Sequence, residues 1–85
     1  MKYTIDVSKK LEKVLKNIPK SDVKKIRDCI RNLEKDPRPH GIEKLDENLY
    51  RVRQGNYRIL YEIYDNKLLI LVVAIGHRRE IYRNL

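Results

Sequence analysis

Residues 49–64 read LYRVRQGNYRILYEIY and decide the fold, because they hold two strand-like runs separated by one turn signal. Polar and apolar side chains alternate on both sides of Gly55-Asn56, which is the pattern of half-buried strands. Glycine and asparagine tolerate the backbone angles that a tight hairpin turn requires. The stretch therefore predicts an antiparallel strand pair, 49–54 and 57–64.

A third strand is predicted over residues 67–75, after a second turn signal at Asp65-Asn66. Its side chains are apolar on both faces, so we expect it to be the central and most buried strand. Residues 2–7 also alternate polar and apolar side chains, which predicts a first strand near the start of the chain.

Two amphipathic helices are predicted between residues 8 and 35. Ser8 and Ser21 are the candidate N-cap residues, and Pro19 ends the first helix. Apolar side chains recur at spacings of three and four along each helix; they are Leu11, Val14, Leu15 and Ile18, and then Val23, Ile26, Ile30 and Leu33. The predicted fold is α+β in the order β-α-α-β-β-β. A helical hairpin packs on one face of a small, mainly antiparallel four-stranded sheet, and residues 1–85 form a single domain.

Composition narrows the range of functions. The 85 residues carry a net charge of +8, which favours a polyanionic partner. One cysteine cannot form an internal disulfide, and two histidines without ligand spacing give no metal site, so neither a metal nor a cofactor is expected. The longest apolar run, residues 68–75, is too short for a membrane-spanning helix, and residues 1–7 lack a signal-peptide pattern. We expect a cytoplasmic protein with no membrane partner.

Arginine is concentrated in the last third of the chain. Residues 49–85 contain six of the nine arginines but one of the eleven lysines. Arg51 and Arg53 are two residues apart and therefore share one strand face, and Arg58 lies just beyond the turn. The segment 76–83, GHRREIYR, leaves the central strand beside them. Guanidinium groups match phosphate oxygens and tyrosines can stack on bases, so this pattern predicts a single-stranded nucleic-acid surface.

The order of these pieces resembles the RelE/ParE superfamily of toxins from bacterial and archaeal toxin–antitoxin pairs. The resemblance covers nearly the whole chain. It rests on the Lys-rich helical hairpin followed by segments 33–37, 44–45, 49–53, 55–61 and 76–82, which read LEKDP, KL, LYRVR, GNYRILY and GHRREIY.

The resemblance implies two possible activities. RelE-like members are ribosome-dependent endoribonucleases that cut messenger RNA in the ribosomal A site, whereas ParE-like members poison DNA gyrase. ParE-like chains generally lack the terminal basic and tyrosine set, so its presence here favours the nuclease. The implied site residues are Arg51, Arg53, Arg58, Arg78 and Tyr82. The resemblance also implies a cognate antitoxin protein and a toxin–antitoxin hetero-oligomer.

Metal-independent RNA cleavage starts with attack of a ribose 2′-OH on the adjacent phosphorus. It needs a proton acceptor, cations around the phosphorane and a proton donor for the 5′ oxygen. Arg58 and Arg78 suit the second task, and Tyr82 can stack on the base or orient the 2′-OH. Arg79 and Arg83 are either contacts to the ribosomal RNA backbone or part of a solvated tail.

The proton acceptor is the open question. Relatives commonly have lysine at the second-strand basic positions, where this chain has Arg51 and Arg53, and arginine stays protonated in proteins. His77 is the best candidate in its place, and Glu80 is a poorer one, because a nearby guanidinium would neutralise its charge. Besides the nuclease and the gyrase poison, a third possible function is that of a basic RNA- or ribosome-binding module whose nuclease activity is weak or lost.

Overall fold

The computed structural model describes residues 2–77 in full and residues 80–83 by their backbone. The first strand, β1 (Thr4–Val7), is followed by two helices, α1 (Lys9–Lys16) and α2 (Lys20–Asn32). Five further strands come next: β2 (Glu43–Lys44), β3 (Leu49–Gln54), β4 (Tyr57–Tyr64), β5 (Leu69–His77) and β6 (Glu80–Arg83). One turn of 3-10 helix, Asp65–Lys67, joins β4 to β5.

The strands form one mixed sheet in the order β1-β5-β4-β3-β2, and β6 also pairs with β5. One edge of β5 pairs with β4. The other edge of β5 pairs with β1 over its first half and with β6 over its second half. Only the β1–β5 pairing is parallel among these described strands. The predicted α+β fold and the central position of the apolar strand are confirmed. The described sheet has six strands rather than four, because β2 is too short to show a period and β6 follows β5 almost at once.

The two helix starts differ in how they are capped. Ser8 Oγ accepts a hydrogen bond from the backbone N–H of Leu11 at 3.3 Å, so the predicted cap of α1 is confirmed. The predicted cap at Ser21 is wrong, since α2 begins at Lys20 after Pro19 and shows no side-chain cap among the described residues. Pro19 has its φ fixed by the ring and enters the helix directly, which places Ser21 inside the first turn.

Both helices pack their apolar stripes on one face of the sheet. Leu11 and Leu15 of α1 and Ile26 and Ile30 of α2 are buried there. They form one cluster with sheet side chains that include Tyr50, Val52, Ile59, Tyr61, Ile63, Ile70, Val72 and Ile75. This rigid core fixes the strands, and so fixes the direction of every side chain on the opposite face.

The loop after α2 is tied to the sheet by a polar cluster. The Arg38 guanidinium donates to both carboxylate oxygens of Asp65, at 3.2 and 2.9 Å, and lies 5.3 Å from the centre of the Tyr50 ring. The Tyr3 hydroxyl donates to Asp65 Oδ1 at 2.5 Å. Charge-assisted and cation–π contacts thus hold the loop against the end of the β3–β4 pair that lies opposite the Gly55-Asn56 turn.

This cluster predicts an acid-sensitive part of the stability. Hydrogen bonds from Arg38 and Tyr3 lower the pKa of Asp65 below its ordinary value of 3.8. Such a carboxyl stabilises the fold above its unfolded pKa, and that contribution is lost as the pH falls through the folded pKa. The urea midpoint of the wild type should therefore fall more steeply below about pH 4 than that of Arg38→Ala. Arg31→Ala, which removes an exposed arginine of α2, should keep the wild-type slope; parallel curves for Arg38→Ala would contradict the prediction.

Candidate nucleic-acid interface

Three arginines lie together on the sheet face that points away from the helices. Tyr50 and Val52 of β3 point into the core, so Arg51 and Arg53 point to the opposite face. Arg53 and Arg58 are direct partners in the β3–β4 register. The structure thus brings together Arg51, Arg53 and Arg58, and we call this group the arginine face.

A shallow pocket of about 190 Å³ lies at the arginine face, lined by its three arginines together with Gly41 and Glu43. Glu43 on β2 is the direct partner of Arg51 in the register, and the two side chains form an ion pair through Glu43 Oε2. Gly41 has a φ of 89°, a left-handed conformation that glycine adopts without strain and that turns the chain into β2. A short strand therefore places one carboxylate among the guanidinium groups.

The arginine face has an electrostatic cost. Like charges directly opposite each other on neighbouring strands destabilise a sheet, and Arg53 and Arg58 are such a pair. Arg53 is exposed, and Arg51 is half-buried. Repulsion of this kind is relieved when an anion binds between the cations, so the arrangement suits a phosphate group.

His77 lies on the other face of the sheet. It is the register partner of Tyr57, and the two rings meet edge to face with centroids 5.6 Å apart. Arg58 instead pairs with Gly76. The structure does not bring the His77 side chain to the arginine face, although the two backbones are neighbours.

An irregularity in β5 explains this placement. The β4–β5 register shifts between Leu60 and Tyr61, whose partners are Ala74 and Val72, so Val73 is an extra residue. A bulge of this kind reverses the alternation of side chains beyond it. Ile75 consequently points into the core, as Val72 does, and His77 follows on that same side.

His77 lines a second pocket of about 260 Å³ near the end of α1, together with Val14, Asn17, Ile18, Tyr57 and Gly76. The Tyr57 hydroxyl donates to Asp22 Oδ2 at 3.4 Å. Burial, and then the negative charge of Asp22, raise the pKa of Tyr57 above its ordinary value. This pocket is partly apolar and is lined by none of the arginines that the structure describes, so its described lining does not resemble a phosphate site.

The remaining site residues of the sequence analysis fall in or near β6. Arg78 and Arg79 lie outside the described residues. The backbones of Tyr82 and Arg83 lie in β6 opposite Ile75 and Ala74. The assignments of Arg78, Arg79, Tyr82 and Arg83 therefore stay predictions.

Glu43 was missed by the sequence analysis. A two-residue strand shows no alternation, so the sequence gives little sign that Glu43 is paired with Arg51. The one sequence feature that could have indicated this strand is the turn residue Gly41, which is followed by a charged pair, Glu43-Lys44.

Within residues 2–77, no three histidine, cysteine, aspartate or glutamate side chains are grouped so that they could hold a metal ion.

A family model described as the ParE toxin of the type II toxin–antitoxin system parDE matches residues 1–82 of the sequence. The chain belongs to the RelE/ParE toxin family. Neither helix in the described part of this RelE/ParE toxin is long and apolar enough to cross a membrane.

Individual relatives support the same assignment. "Putative toxin RelE1" of Methanocaldococcus jannaschii is 32% identical over 91 aligned residues, which cover 99% of each chain. "Putative RelE-like toxin protein" of Escherichia coli is 31% identical and covers 92% of this chain and 81% of its own. The crystal structure of the archaeal RelE–RelB complex from Pyrococcus horikoshii OT3 superposes with a TM-score of 0.85 at 27% identity, covering 92% of this chain and 97% of that one. The toxin therefore shares the RelE fold over nearly its whole length.

Proposed function

We propose that this RelE-like toxin is a ribosome-dependent endoribonuclease that cleaves messenger RNA in the A site and so inhibits translation. The observation that carries the proposal is the arginine face, which presents three guanidinium groups on a sheet surface that no described helix covers. A rigid surface of this kind is preorganised for the negative charge of a phosphodiester.

In this proposal the arginine face stabilises the transition state. Attack by the 2′ oxygen gives a phosphorane with more negative charge than the substrate, so cations already in place stabilise it more than the ground state. Arg58 pairs with Arg53 on one side and Gly76 on the other, which puts it closest to the segment predicted to carry Arg78 and Tyr82. We assign Arg58 to the phosphate, and keep Arg78 and Tyr82 as its proposed catalytic partners. Arg51, Arg53, Arg79 and Arg83 would contact the RNA backbone.

The position of His77 changes the expectation for that residue. A side chain beside Tyr57 on the helix-facing side of the sheet is poorly placed to take a proton from a ribose held at the arginine face. We therefore expect His77→Ala to retain cleavage within about tenfold of wild type, below the usual contribution of a general base. Single-turnover cleavage on programmed ribosomes measures this. A loss of about 10² or more would return His77 to the role of proton acceptor.

We further propose that a cognate antitoxin neutralises the toxin by forming a hetero-oligomer with it. The RelE of Pyrococcus horikoshii OT3 was crystallised with RelB, and this chain has a net charge of +8. Acidic segments of an antitoxin would be attracted to the arginine face and would exclude RNA from it. Action on ribosomes places the free toxin in the cytoplasm.

Mapping the 5′ ends of cellular transcripts after brief induction of the toxin tests the proposed activity. Breaks within codons of translated frames support it, provided that they disappear when the antitoxin is expressed with the toxin. The ParE name of the matching family model makes gyrase the second candidate target. DNA damage without RNA breaks would establish gyrase as the target. Growth arrest with neither would indicate a basic ribosome-binding module, and no growth effect from folded toxin would contradict the toxin reading.

A further inference from the structure

The sheet surface that carries the arginine face changes its charge along the strands. At the end near the Gly55-Asn56 turn, Arg53 of β3 lies opposite Arg58 of β4. Four residues further along β4 comes Glu62, which is about 13 Å from Arg58 at the usual rise of a strand. The surface is therefore positive at the turn end and carries a carboxylate beyond it.

Glu62 has a fixed direction on this surface. Its neighbours in β4, Tyr61 and Ile63, point into the core, so Glu62 points away from the helices, as Arg58 does. The Tyr64 hydroxyl donates a hydrogen bond to Glu62 Oε1 at 3.0 Å. The half-buried carboxylate is thus held in place on the strand that also carries Arg58.

A second carboxylate lies in the same row of the sheet. Asp6 of β1 is the register partner of Leu71 in β5, and Leu71 is also the partner of Glu62. Ile5 and Val7 pack against the core, so the exposed Asp6 side chain points to the same surface as Glu62. Two negative charges therefore flank the central strand beyond the arginines.

A bound RNA strand can take two routes over this surface. Across the strands at the turn end, its phosphates meet Arg53 and Arg58, which lie in one row. Along β4, the route from Arg58 passes the apolar Leu60 and reaches Glu62. Phosphates on that second route are repelled by the carboxylate, and such repulsion acts over about 8 Å at physiological ionic strength.

We propose that Glu62 is a specificity-determining residue that limits the RNA-binding surface to the turn end of the sheet. The inference rests on the proposed nuclease function, because RNA is the proposed ligand of the arginine face. Repulsion by Glu62 and Asp6 excludes phosphates from the middle of the sheet. The RNA therefore crosses β3 and β4 and leaves the sheet after a few nucleotides. The surface favours a short exposed stretch, such as a single codon, over a long strand.

Salt titrations of RNA binding by the free toxin, followed by fluorescence anisotropy, test this limit. The probes are labelled 2′-O-methyl RNAs of about 2 to 10 nucleotides, which cannot be cleaved because they lack the attacking 2′-OH. Each phosphate contact contributes about −0.7 to the slope of log K against log salt concentration. We expect the wild-type slope to stop changing beyond about five nucleotides, since only the turn end of the sheet contacts phosphate.

Glu62→Gln keeps the size of the side chain and its hydrogen bond to Tyr64, but removes the charge. On RNA longer than the wild-type limit, we expect its slope to steepen by about 0.7, the value of one further phosphate contact. It should also bind the longest RNA about two- to fivefold more tightly than wild type does. Adding Asp6→Asn should increase both effects. The matched control is Asp28→Asn, which removes one negative charge from an exposed position of α2 and should keep the wild-type slope and limit.

Three results would overturn the proposal. A wild-type slope that keeps steepening with RNA length means that RNA runs over Glu62. Wild-type slope and affinity in Glu62→Gln mean that the carboxylate sets no limit, and equal gains in Glu62→Gln and Asp28→Asn mean that net charge alone sets the affinity. Transcript breaks caused by the wild type would keep the nuclease function in each of these cases. Failure of the wild type to bind any of these RNAs would refute the arginine face as an RNA site, and the role of Glu62 with it. Circular dichroism confirms that each variant is folded.

Discussion

Arg58→Ala should slow ribosome-dependent cleavage by about 10²–10³, the range found when one preorganised charge or donor is removed from a developing oxyanion. The side chain leaves β4 on the face opposite the core residues Ile59 and Tyr61, so its loss opens no cavity in the core. The thermal midpoint should therefore change little.

Matched lysine variants distinguish a specific RNA-binding site from nonspecific electrostatic attraction between the toxin and RNA. Lys13 and Lys24 are exposed on α1 and α2, on the side of the molecule covered by the helices. Lys13→Ala and Lys24→Ala each remove one positive charge, as Arg58→Ala does, but should cleave at nearly the wild-type rate. Equal losses in all three variants would mean that net charge, rather than the arginine face, draws the toxin to RNA.

Ile26→Ala should lower the free energy of unfolding by about 2–5 kcal/mol, the usual cost of truncating a buried isoleucine. Ile26 is fully buried between α2 and the sheet, with 0% of its surface exposed. A domain of this size buries only about 60–65% of its unfolded surface, so this loss is a large part of its total stability. Urea unfolding monitored by circular dichroism gives the value.

Two further substitutions serve as comparisons for the unfolding free energy of Ile26→Ala. Ile26→Val removes one methylene group and should cost about 0.5–1.5 kcal/mol. Lys25→Ala, at the exposed neighbouring position of the same helix, should change stability by less than about 0.5 kcal/mol. A cost for Ile26→Ala as small as that of Lys25→Ala would show that α2 is not packed on the sheet as described.

Much of the fold follows from local signals in the sequence. Ser8 is a helix cap because its hydroxyl replaces a missing backbone acceptor, and Gly55, with a φ of 60°, permits the turn between β3 and β4. Alternation in β3 correctly places Arg51 and Arg53 on one face, because that strand is regular from end to end. Predictions of this kind depend on a residue and its near neighbours alone.

The placements of His77 and Glu43, which the sequence did not predict, depend on tertiary structure. The face of His77 depends on the extra residue Val73, and a bulge within an apolar run such as LILVVAI leaves no mark in the hydrophobic pattern. The pairing of Glu43 with Arg51 depends on where the loop after α2 returns to the sheet, which is set by the contacts of Arg38. Strand register and the point at which a loop rejoins the sheet both depend on tertiary contacts. The part of the site that depends on them could therefore not be predicted from the sequence.

The parallel pairing of β1 with β5 also determines when the toxin can fold during its own synthesis. Thr4 and Leu69 are partners in the sheet, so β1 leaves the ribosome long before the strand that it pairs with exists. β5 also supplies the neighbours of β4 and contributes Ile70, Val72 and Ile75 to the core. Contacts between residues so distant in sequence form late, because the intervening chain must first be closed into a loop. A nascent chain that ends before residue 69 therefore lacks the strand that organises the sheet, and the toxin cannot complete its fold until translation is nearly finished.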